Sequence, residues 1–142
     1  MLEILIDKLT NSIEEVATGR TWDTDVSRVA QANLKSLGPE WRFNWKTEFK
    51  IHELYKLTIP NRGPEIEGLI SLTRMTGFVQ VMLIENHPRN VGRKKKFVGV
   101  AGNLMAYAAK LSFELGNEGY IAFDANGKNG AIHCSGLASR TR

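Results

Sequence analysis

The chain has 142 residues, of which 42% are hydrophobic and 24% charged, and it carries a formal net charge of +4. These values are ordinary for a globular protein with a buried core. The longest apolar runs are too short to cross a bilayer, and no basic stretch followed by an apolar core marks a secretory signal at the N-terminus. A lone cysteine, Cys134, excludes an internal disulfide, which fits a reducing, cytoplasmic location.

Leu2 to Ile6 reads as a short strand. Asp7 is placed to cap a helix whose Leu9, Ile13 and Val16 share one face, with Gly19 as its stop. A second helix is predicted from Thr24 or Asp25, because Val26, Val29, Ala30, Leu34 and Leu37 recur at helical spacing before Gly38-Pro39. Trp41, Phe43 and Trp45 then alternate with Arg42, Asn44 and Lys46, the period of a half-buried strand. Tyr55–Ile59 is a further strand, closed by Pro60. Ile66–Thr73 and Phe78–Glu85 form a hairpin across Thr76-Gly77. The centre is therefore an antiparallel meander.

Asn86-His87-Pro88 breaks the last strand, and a basic loop follows. Arg89, Arg93, Lys94, Lys95 and Lys96 cluster within it, so the mild net charge is locally concentrated. From Gly99 to Leu115, Val100, Leu104, Ala108, Leu111 and Leu115 form a helical stripe that Gly116-Asn117 ends. Gly119–Phe123 is a strand, which makes strand, loop, helix and strand one crossover unit. The organisation is a single domain over residues 1–124 and an irregular tail over 125–142, rich in glycine and small residues.

The segment from Lys96 to Leu104 carries the chemistry. Small residues at 99, 101 and 102 admit close approach to the backbone, and the first turn of a helix presents unbonded amides that favour phosphate. The adjoining basic run supplies counter-charge. Small residues at a helix start also serve plain helix–sheet packing, and a basic loop is often only solvated surface.

The pattern Lys96-x-x-Gly99-x-Ala101, with Leu104 after it, resembles the Gln/Arg-x-x-Gly-x-Gly/Ala signature of the GCN5-related N-acetyltransferases. The resemblance covers roughly residues 41 to 124, including the order of strands around the signature. It implies an α/β (α+β) fold with a mixed, mostly antiparallel central sheet flanked by helices, and a βαβ acetyl-CoA unit near residues 78–124. It also implies acetyl transfer from acetyl-CoA, as cosubstrate, to an amine. Leu83 and Ile84 would hold the pantetheine arm, and Lys96, Val98, Gly99, Val100, Ala101, Gly102 and Asn103 the pyrophosphate. Glu85, at the strand end, is the candidate general base, and His87 the alternative. The chain departs from the family in having lysine at 96, a longer loop from Pro88 to Gly99, and no tyrosine after Tyr120. Either the chain is shortened, or its tail is unusual, or a second copy in a homodimer completes the sheet. A non-catalytic acyl-CoA-binding or regulatory module of the same fold is the other reading. Nucleic-acid binding is disfavoured, because the aromatics do not interleave with the charges. His52, His87 and His133 are scattered, so no metal site is expected, and nothing points to a membrane.

Overall fold

The computed structural model describes residues 12–125 and 128–133. Among them, a six-stranded sheet has the order β3 (Asp25–Arg28), β4 (Glu53–Thr58), β5 (Gly68–Met75), β6 (Phe78–Asn86), β8 (Tyr120–Ala125), β9 (Lys128–His133). A three-stranded sheet has the order β2 (Thr21–Asp23), β1 (Ser12–Glu15), β7 (Phe97–Val98). The helices are α1 (Gln31–Leu34), α2 (Trp45–Ile51) and α3 (Val100–Glu114). Neighbouring strands are antiparallel except β6 and β8, which run parallel. The protein is thus of mixed α+β class with mostly antiparallel sheets.

The central elements follow from local patterning. Met75 pairs with Phe78 across Thr76-Gly77, where Gly77 adopts φ 87°, a value that suits glycine. β6, α3 and β8 form the expected crossover, because two parallel neighbours cannot be joined by a tight turn. One face of the large sheet presents Tyr55, Leu57, Ile70, Leu72, Val79 and Val81 to Leu104, Ala108 and Leu111 of α3. The opposite face holds Leu54 and Leu69 against Val29, Leu34, Trp41 and Trp45.

Elsewhere the structure corrects the sequence reading. Leu2–Ile6, Asp7 and Leu9 lie outside the described residues. Ile13 is on β1, not on a helix; it is buried in the core, and Gly19 serves the turn into β2. Asp25–Arg28 is an edge strand on β4, and only Gln31–Leu34 of the predicted second helix is helical. Ladder bonds to Tyr55–Thr58 outweigh the weak propensity of Val26 and Ser27 for helix. Trp41, Phe43 and Trp45 form no strand. The Asn44 side chain accepts a hydrogen bond from the Thr47 amide at 3.1 Å and so caps α2, with Trp45 as its first residue. In the segment read as an irregular tail, Lys128–His133 pairs antiparallel with β8. Cys134 and the residues after it lie outside the described residues.

Candidate functional site

The site begins with a register change. Ser71 pairs with Leu83 and Leu72 with Val81, so Met82 is an extra residue in β6, a β-bulge. Below the bulge Val79 and Val81 face α3; above it Ile84 takes that face and Leu83 the opposite one. Parallel pairing of β6 with β8 runs from Val79–Ile121 to Val81–Phe123 and stops there. Beyond the bulge the two strands are unpaired with each other. The opening is a cleft of about 310 Å³ lined by Phe43, Val81, Met82, Leu83, Ile84, Ala101, Met105 and Phe123.

The start of α3 forms part of the wall. Gly99 precedes the helix at φ 100°, a conformation that strains any residue with a Cβ. The first turn carries no acidic residue and no side-chain cap, so the amides of Val100, Ala101 and Gly102 lack intrahelical acceptors. Leu83, Ile84 and Ala101 line the cleft. The Val100 side chain does not; it is buried, its Cγ1 2.6 Å from where a Cβ on Gly68 would stand. Val98 is exposed on β7, opposite Glu14.

Asn103 is the clearest correction within the expected set. Its amide donates to Gly99 O at 2.9 Å. Its side-chain amide donates to Ser12 O and Gly99 O, and its Oδ1 accepts from Ser12 N and Thr24 Oγ1. Every hydrogen-bonding group of Asn103 except its carbonyl is thus committed to joining β1 and the residue-24 turn to the helix start.

Glu85 has a similar fate. Its carboxylate is buried and accepts from Arg42 N at 2.6 Å, Phe43 N at 3.2 Å and Trp45 Nε1 at 2.8 Å. It therefore fastens the segment that puts Phe43 on the cleft wall. His87 Nδ1 accepts from Arg89 N, its Nε2 lies 3.3 Å from Glu40, and its ring edge meets Trp41. Arg89 donates to Glu67 and Ile66 O, so it is not a free cation of the basic loop.

Sequence reasoning missed the group behind the bulge. Ser71 Oγ accepts from Leu83 N at 3.0 Å and donates to Glu48 Oε2 at 2.7 Å; His52 Nδ1 lies 2.7 Å from the same oxygen. Ser71, a polar residue between Leu69-Ile70 and Leu72, was the available signal; Glu48, flanked by Lys46, Thr47 and Lys50, carried none. Nothing in the spacing marked Met82.

No family model matches the chain, and neither a curated protein nor a solved structure matches it. Among the described residues no cluster of His, Cys, Asp and Glu could hold a metal ion, and no helix is long and apolar enough to cross a membrane.

Proposed function

We propose that this chain binds acetyl-CoA in the β6–β8 cleft and passes the acetyl group to an amine, in the manner of the GCN5-related N-acetyltransferases it resembles. The observation that carries the reading is the bulge at Met82, which ends the β6–β8 ladder beside the unbonded amides of α3. A mostly apolar slot leading to a helix N-terminus suits a long apolar arm ending in pyrophosphate. The amides of Val100, Ala101 and Gly102 would meet the pyrophosphate, with Lys96 as counter-charge, and Leu83 and Ile84 would line the arm. The amine attacks the thioester carbonyl, the C–N bond forms, the C–S bond breaks, and coenzyme A leaves as its thiolate. Glu85 enters this scheme as a positioning residue, since three donors already hold its carboxylate; the amine proton passes to water.

The Glu85 arrangement also favours the second reading, a non-catalytic acyl-CoA-binding module. Calorimetric titration with acetyl-CoA tests the shared claim. Saturation at about a hundred times the dissociation constant should add about 2.7 kcal/mol of stability, and Ala101→Asp should abolish binding in a folded protein. Absence of binding at millimolar ligand sinks both readings. Turnover on a panel of primary amines separates them.

A further inference from the structure

Around the three-stranded sheet stands a group of cations of which the proposed cofactor reading uses only Lys96. Arg20 Cζ lies 3.9 Å from the centre of the Trp22 ring and Arg62 Cζ 4.7 Å from it. Arg62 also lies 5.9 Å from the Phe97 ring, and Lys96 Nζ 5.5 Å from it. The two rings thus link Arg20, Arg62 and Lys96, and Lys95, Lys94 and Arg93 immediately precede Lys96 in the chain. All of these cations are exposed except the partly buried Lys96, and among the described residues none forms an ion pair. The carboxylate within this group, Glu15, accepts from Trp22 Nε1 at 3.0 Å and Thr18 Oγ1 at 3.2 Å, and its charge offsets part of that of Arg62 and Lys96, leaving the group net cationic. Strand alternation turns Glu14 and Asp23 to the other face of the β1–β2 ladder.

We infer that this surface binds single-stranded nucleic acid. A guanidinium resting on an aromatic ring is pre-oriented, keeps its N–H edge free for a phosphate oxygen, and offers its own flat face to a base. Arg20, Arg62, Lys96, Lys95, Lys94 and Arg93 outnumber the phosphates of one small cofactor, whereas a phosphodiester chain presents a charge at every nucleotide. Trp22, Arg62 and Phe97 are far apart in sequence, and tertiary structure brings the three together.

The test is fluorescence anisotropy with a labelled single-stranded oligonucleotide of mixed sequence, titrated at several salt concentrations. Contact with about four phosphates should lower affinity roughly fifty-fold between 50 and 200 mM salt. The double variant Lys94→Ala/Lys95→Ala, whose side chains make no described contact, should weaken binding across sequences and flatten the salt dependence. Arg20→Ala/Arg62→Ala should do the same, with circular dichroism as the check that Trp22 keeps its place. No binding at 50 mM salt overturns the inference. So does full affinity in the Lys94/Lys95 variant, or complete displacement by free coenzyme A at matched ionic strength, which would assign the cations to the cofactor instead.

Discussion

The hydroxyl of Ser71 stands 3.0 Å from the amide of Leu83, across the point where β6 gains Met82. A bulge leaves ladder groups without their usual partners, and this hydroxyl takes the place of a missing carbonyl. Ser71 is wholly buried, and its own proton goes to Glu48. Ser71→Ala therefore orphans a buried N–H and removes a donor from a buried carboxylate. We expect a loss of about 1–3 kcal/mol by denaturant titration and, on the proposed acetyl-CoA reading, a fall in affinity as the bulge relaxes. Unchanged stability would show that the bulge does not depend on this hydroxyl.

Glu85→Gln separates anchoring from catalysis. A carboxamide places an N–H₂ where only donors face it, so the 42–45 segment should loosen and the melting temperature should drop. We expect about 1–3 kcal/mol of destabilisation, together with a change in Phe43 exposure that alters cofactor affinity. A general base would behave differently: stability would hold while turnover fell by about a hundredfold or more.

Gly68 lets α3 approach the sheet closely. A Cβ there would meet Val100 Cγ1 at 2.6 Å and Leu104 Cδ1 at 3.0 Å. Gly68→Ala should push the helix start away at a cost of about 1–3 kcal/mol. Because that start also bounds the cleft, the proposed acetyl-CoA affinity should fall with it; a fully stable variant would mean that Val100 and Leu104 repack freely.

Among the described residues three carboxyls, those of Glu15, Glu40 and Glu53, are held below their ordinary value and so contribute to the pH dependence of stability; Glu53 is the most enclosed of them. Burial pushes the Glu53 carboxyl up, but the Arg74 guanidinium, the Tyr55 hydroxyl and Arg28 outweigh it and leave the group below its ordinary value. A depressed native value means that the unfolded chain takes up the proton first. The contribution is therefore present above the unfolded value, about 4.3, and is lost as pH falls through the native one. Glu53→Gln should flatten the decline in stability on acidification. At neutral pH it should cost under about 1 kcal/mol, since Arg74 is substantially exposed. An unaltered acid limb would place the titration elsewhere.

The β5–β6 hairpin, α3 and β8 were legible in the amino-acid sequence because each is long enough for its period to repeat and is bounded by Gly77, Gly99, Gly116 or Gly119. The parallel crossover follows from their order alone. Short segments were not legible. The alternation of Trp41, Phe43 and Trp45 has strand period, yet Glu85 draws the Arg42 and Phe43 amides and the Trp45 indole to one carboxylate, and Asn44 turns the chain into a helix. Asp25–Arg28 and Lys128–His133 become strands only because β4 and β8 offer open edges to pair with. Hydrophobic period is a local property, so the chain itself specified the elements whose faces repeat. The bulge at Met82, the commitment of Asn103 and Glu85 to structural bonds, and the meeting of Arg20, Trp22 and Arg62 depend on groups far apart in sequence. Tertiary packing decided those, because a buried polar group takes whichever partner the fold brings within hydrogen-bond reach.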